Sequence, residues 1–170
     1  MLYKKNIHIP NSDEQFDILT PLWKYLEQKS YNHYEVSNFA LNGRISLHNS
    51  VYWDYCQYIG LGPGSASTGF VNALANRADF ERNIESYVNG KLFEGFSFEK
   101  LDKQETLEEF VMMGLRHSKG LSLERLKNDF NFTLDIVPRG YSIKKQYLVP
   151  DDCGLMTADA ASLQILGSLS

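Results

Sequence analysis

Residues 34–65 read YEVSNFALNGRISLHNSVYWDYCQYIGLGPGS, and the fold class turns on how this stretch divides. Tyr34 to Phe39 is short and rich in β-formers, which predicts a strand. Leu41 to Ser50 is largely polar, contains Gly43, and reads as a loop. Tyr55 to Leu61 is aromatic and apolar and ends in Gly60-Leu61-Gly62-Pro63-Gly64-Ser65. That pattern predicts a buried strand running into a glycine-rich turn.

Toward the N-terminus, Asn11-Ser12-Asp13-Glu14 marks a helix start, with capping side chains followed by carboxylates in the first turn. Phe16, Leu19, Trp23 and Leu26 then recur at helical spacing as one apolar stripe, interrupted by Pro21, where a kink or a restart is expected. Toward the C-terminus, Asp79 to Val88 reads as a short helix with Phe80, Ile84, Tyr87 and Val88 inward. Lys103 to His117 is the strongest helix of the sequence. Leu107, Phe110, Val111, Gly114 and Leu115 line one face of it, and Gly120 stops it. Ser122 caps a further short helix to Phe130. The pattern weakens from Ile136 to Pro150, and Leu155 opens a last helix ending near Leu169. The expected class is therefore α/β. Residues 1–95 alternate helix and strand like the tail of an α/β barrel, and residues 96–170 form a mostly helical domain.

The chain has 170 residues, 43% hydrophobic and 22% charged, enough to bury a core and too apolar for disorder. Net charge is −4 and the pI about 5.6, which argues against a broad basic surface for nucleic acid. No apolar run reaches the roughly 18 residues of a membrane span. The start, MLYKKNIHIPNSDEQ, lacks the apolar region of a secretory signal, so a cytoplasmic protein is the expectation. Cys56 and Cys153 form no C-x-x-C pair, and two thiolates fall short of the three or four that hold a [4Fe–4S] cluster.

Three segments could carry chemistry. In His48-Asn49-Ser50-Val51-Tyr52-Trp53, a neutral imidazole can donate a nitrogen lone pair to iron. Tyr52 and Trp53 can offer flat faces to a macrocycle, and Asn49 can fix the imidazole or bond a propionate. Taken by residue type alone, His48 reads first as a loop histidine beside two core aromatics. In Gly60-x-Gly62-x-Gly64 the backbone can approach a ligand and form an anion-binding nest, although a tight turn accounts for the same residues. It is neither a Rossmann fingerprint nor a P-loop. Glu108-Glu109 and Arg116-His117 suit the dipole of the long helix, with Glu109 reaching Arg116 or a neighbouring segment. His8 and His33 stand without spaced partners, so zinc has no support. No Gly-x-Ser-x-Gly elbow and no His-Glu-x-x-His exists, and no catalytic residue is assigned.

Taken in order, Tyr34-Glu35-Val36-Ser37-Asn38-Phe39-Ala40, His48-Asn49-x-x-Tyr52-Trp53, Gly60-Leu61-Gly62-Pro63-Gly64-Ser65, Glu109-Phe110-x-Met112-x-Gly114-Leu115-Arg116 and Gly120 resemble one family. It is that of the radical S-adenosylmethionine proteins related to oxygen-independent coproporphyrinogen III oxidase. The His-Asn-x-x-Tyr-Trp element resembles the haem-chaperone, HemW-like branch. The resemblance covers roughly residues 5–130 and implies the C-terminal part of a partial (β/α) radical-SAM barrel followed by a mostly helical domain. It implies haem contact at His48 (to iron), Asn49, Tyr52 and Trp53, and places Gly60, Gly62, Gly64 and Ala66 near S-adenosylmethionine. The family's Cys-x-x-x-Cys-x-x-Cys cluster motif is absent, so no independent radical chemistry is expected. S-adenosylmethionine and the [4Fe–4S] cluster would belong to a full-length member. The expected partners are haem, a missing N-terminal radical-SAM half, and a haem-accepting protein. The alternatives are part of a coproporphyrinogen III oxidase, or an inactive truncated remnant.

Overall fold

The structure is a computed structural model and describes residues 8–90 and 95–168. Contacts divide the chain into two compact units, Met1–Ile45 and Ser46–Ser170.

In the first unit, helix α1 (Ser12–Gln28) is closed by a capping box. Asn11 accepts from the Glu14 amide at 3.0 Å, and the Glu14 carboxylate accepts from the Asn11 amide at 2.8 Å. The helix continues through Pro21 rather than ending there. Its Trp23 packs edge-on against His33 and Phe39, ring centres 4.1 and 6.0 Å apart. Those two residues belong to a hairpin, β1 (Tyr31–Glu35) and β2 (Asn38–Leu41), paired antiparallel. The single strand expected over Tyr34–Phe39 thus folds back on itself, because Val36 and Ser37 form a two-residue turn.

The second unit opens with helix α2 (Leu47–Trp53), where a loop was expected. Ser46 caps it, its hydroxyl accepting from the Asn49 amide at 3.2 Å. The seven-residue helix is too short to show a helical period in its sequence. Strands β3 (Ala66–Val71) and β4 (Leu74–Phe80) form a hairpin, helix α3 (Ile84–Val88) follows, and β5 (Phe96–Lys100) pairs with β4, giving the order β3-β4-β5. Two expectations fail here. Tyr55 to Leu61 is not a buried strand: only Tyr58 pairs, with Thr68, while Ile59 and Leu61 are 84% and 88% exposed. Asp79 and Phe80 end β4 rather than begin a helix, and in α3 Ile84 and Val88 face outward.

Helix α4 (Lys103–Gly114) carries its own capping box at Asp102 and Glu105, and it buries the expected face of Leu107, Phe110, Val111 and Gly114. One side of that helix meets the β3-β4-β5 sheet. The Leu101 amide donates to the Ala75 carbonyl at 3.0 Å, and the Ala75 amide donates to Thr106 Oγ1 at 3.2 Å. Glu109 accepts from the Tyr55 hydroxyl at 2.8 Å and pairs with Arg77 on β4. Its partner is therefore Arg77, whereas Arg116 pairs with Asp159. These bonds join residues on the two sides of residue 95.

The other side of α4 meets β6 (Leu121–Ser122), α5 (Leu123–Phe130) and α7 (Ala158–Gly167), and β7 (Tyr141–Lys144), β8 (Tyr147–Pro150) and α6 (Asp152–Met156) complete this part. The three strands form a second antiparallel sheet, order β6-β8-β7, so the part expected to be mostly helical contains a sheet. Leu115, Leu121, Leu126, Leu148 and Ile165 are fully buried and make its core. Gly120 does not end α4 directly. It occupies φ +84° in the turn into β6, and a Cβ there would stand 2.2 Å from the Leu148 carbonyl oxygen. The last helix ends at Gly167; Leu169 lies outside the described residues. The α/β class expected from the sequence is what the structure shows.

Candidate functional site

Helix spacing sorts the His48–Trp53 segment. Residues four apart share a face, so His48 and Tyr52 point the same way. The Tyr52 hydroxyl and His48 Nε2 are hydrogen-bonded at 2.9 Å, with the rings edge to face at 5.0 Å. Tyr52 in turn packs edge-on against Tyr58, centres 4.7 Å apart. Tyr58 is held by a pair of backbone hydrogen bonds to Thr68, of 2.9 and 3.0 Å. Beyond Tyr58 the chain carries its apolar side chains outward. Together these groups border an open cavity of about 420 Å³, lined by His48, Val51, Tyr52, Tyr58, Ile59 and Leu61. This volume lies within the range of small-molecule sites, roughly 300–1,000 Å³. The cavity is mainly apolar and aromatic with one exposed imidazole at its edge.

Asn49 and Trp53 do not line it. Trp53 lies beside Phe110, Gly114, Arg125 and Tyr147 around a small void of about 50 Å³, and its Nε1 is buried without a hydrogen-bond partner among the described residues. Asn49 is half-buried, with its amide engaged by Ser46. The C-terminal end of α2 is anchored by charge. Lys119 Nζ is 2.8 Å from Asp54 Oδ1, and that hydrogen bond holds the ammonium pKa above its ordinary value. Arg125 Nη1 donates to the Asp54 carbonyl at 2.8 Å. This fastening leaves the His48–Tyr52 face turned to the cavity.

Of the glycine-run residues, Gly60 and Ala66 line the cavity, whereas Gly62 and Gly64 do not. The Gly60 amide donates to Ser67 Oγ at 3.0 Å, and the Gly64 amide donates to the Glu81 carbonyl at 3.1 Å. Two of the three glycine amides are therefore engaged inside the protein. A Cβ on Gly60 would lie 2.1 Å from the Ala66 carbonyl oxygen, so close chain approach explains that glycine. The sequence reading missed Tyr58, Ile59, Leu61 and Val51. The available signal was two large aliphatic residues interleaved with glycine, Ile59-Gly60-Leu61-Gly62, a pattern that packs poorly as a strand.

An exposed imidazole beside flat aromatic and aliphatic faces could hold an axially ligated macrocycle such as haem. Among the described residues, no group of three or more His, Cys, Asp or Glu could hold a metal ion, and both cysteines are free thiols.

Residues 101–164 match the HemN C-terminal domain. The chain is 30% identical over 138 residues to "Heme chaperone HemW" of Lactococcus lactis, covering 76% of this chain and 33% of that protein. It is 36% identical over 105 residues to the bovine "Radical S-adenosyl methionine domain-containing protein 1, mitochondrial", covering 57% and 24%. Among solved structures, the protein titled "Coproporphyrinogen III oxidase (HemN) from Escherichia coli is a Radical SAM enzyme" superposes with a TM-score of 0.58 at 11% identity. That match covers 98% of this chain and 44% of the other, which shows the fold. In fold the chain is similar to part of HemN, and residues 101–164 are similar to its C-terminal domain. More particularly, the chain is similar in sequence to haem chaperones of the HemW type. The chain spans about a third of the length of the first HemW relatives it matches.

Proposed function

We propose that the chain binds haem at the α2 cavity and hands it on, as the C-terminal part of a HemW-like haem chaperone. One observation carries this reading: His48 is exposed at the rim of an open apolar cavity, not sealed in the core. His48 supplies the iron ligand, Tyr52 and Tyr58 the aromatic walls, and Ile59 and Leu61 the aliphatic faces. Asn49 and Trp53 shape the helix that presents them. Gly60 and Ala66 form the floor. Gly62 and Gly64 set the turn behind it, and contact with S-adenosylmethionine along this run belongs to a longer protein. Binding and transfer need no turnover by this chain.

S-adenosylmethionine and the [4Fe–4S] cluster are assigned to an N-terminal radical-SAM half, and a haem-accepting protein is the recipient. The working compartment under this proposal is the cytoplasm. A second reading, part of a coproporphyrinogen III oxidase, is favoured by the fold match to HemN. Oxidation of a porphyrinogen on adding an N-terminal half would select it. An inactive remnant would bind no haem at all. The primary test is titration of ferric haem into the full chain. A Soret band that shifts when His48→Ala is introduced supports ligation, and an unshifted band removes the assignment.

A further inference from the structure

We propose that Tyr52 is a latch on the iron-ligating nitrogen of His48, a positioning residue that gates haem entry to the cavity. This inference rests on the haem-binding reading and goes one step past it. The observation is the 2.9 Å hydrogen bond between the Tyr52 hydroxyl and His48 Nε2, with both side chains lining the cavity.

The two ring nitrogens of His48 are not equally accessible to iron in a macrocycle. Nδ1 neighbours Cβ and lies close to the backbone of α2, where a wide flat ring meets the helix. Nε2 is at the far end of the imidazole and can carry such a ring clear of it. Nε2 is the very atom that Tyr52 engages. The phenol is not free to drift away, since its ring is braced edge-on by Tyr58. Tyr58 is itself pinned to β3 through Thr68. Iron and hydroxyl therefore compete for one lone pair.

The exchange balances without a proton acceptor. In the tautomer that carries its proton on Nδ1, the Tyr52 O–H donates to the Nε2 lone pair. On ligation that hydrogen bond breaks and the same lone pair forms the bond to iron. The Nδ1 proton stays where it is, and Tyr52 keeps its own. In that tautomer Tyr52 covers the atom iron binds, and no proton has to leave Nε2 before ligation. Apparent affinity is reduced by the fraction of molecules in which the latch is open. For a hydrogen bond of ordinary net strength, that fraction corresponds to roughly a two- to tenfold effect.

The test compares wild type, Tyr52→Phe and His48→Ala, with ferric haem as the probe. Affinity, stopped-flow association rate and Soret position are read on the full chain. Tyr52→Phe keeps the ring on Tyr58 and removes only the hydroxyl. The expected result is faster association and roughly two- to tenfold tighter binding with the Soret maximum unmoved. If His48→Ala leaves the Soret band in place, the haem reading fails and takes the latch with it. If His48→Ala shifts the band but Tyr52→Phe binds no faster or more weakly, the latch alone is wrong. A Soret shift in Tyr52→Phe would make the phenol an iron ligand, which also overturns the latch.

Discussion

The two sides of α2 behave in opposite ways. On one side Trp53, Asp54 and the following Tyr55 are fastened to α4 and α5 through Phe110, Glu109 and Arg125, and to the turn before β6 through Lys119. On the other, His48 and Tyr52 bond to each other and face an open cavity edged by Ile59 and Leu61. The first side ties its polar groups and rings into the fold. The second exposes large apolar groups that contribute little to stability, which is a cost without purpose unless something covers them. The difference separates residues that hold the structure from residues left open at its surface.

The sharpest way to break this contrast is to truncate the core behind α4. Leu148→Ala removes a fully buried side chain and is expected to cost about 2–5 kcal/mol in denaturant unfolding. A loss below about 1 kcal/mol would mean that the three-stranded sheet is not the stabilising centre. Gly120→Ala adds a methyl against the Leu148 carbonyl at a positive φ, with an expected cost of about 2–3 kcal/mol in the same measurement.

Alkaline titration probes the fastened side of α2. Burial pushes the Tyr55 phenol up to about 12, against about 10 in an unfolded chain. The folded protein then binds the proton more tightly, so this contribution is whole below pH about 10 and is lost as pH rises through about 12. The expected loss is about 2–3 kcal/mol, measured by unfolding at stepped pH, and Tyr55→Phe should flatten that part of the curve. Burial raises the Tyr141 phenol as well, so a sloping remainder in the variant is expected.

The smallest effect on stability belongs to the open side. His48→Ala, and Ile59→Ser with Leu61→Ser, should change unfolding free energy by under about 0.5 kcal/mol, while haem affinity falls. Loss of the fold in these variants would show that the cavity rim is structural after all.

How much of this was legible in sequence depends on the length of each pattern. The α4 face of Leu107, Phe110, Val111 and Gly114 repeats over about two turns, and its caps are local, so periodicity found it. The start of α1 was readable for the same reason, because Asn11 and Glu14 satisfy each other's backbone within three residues. Helix α2 was missed because seven residues hold too little period to outweigh polar composition. Ile59 and Leu61 were read as buried because apolar residues beside aromatics usually are. Their exposure follows from the turn that Gly60 and Gly64 make against β3 and Glu81.

By itself, the sequence determined the α/β class, the helices long enough to declare a face, the shortage of thiolates and the candidacy of His48. Tertiary structure alone decided that Trp53 belongs to the packing and His48 and Tyr52 to the cavity. It also decided that Glu109 answers Arg77, and that two aliphatic side chains stand in the open. Caps and periods arise from neighbours along the chain and are written locally. Exposure and partner choice depend on segments brought together from dozens of residues away, and no local pattern encodes them.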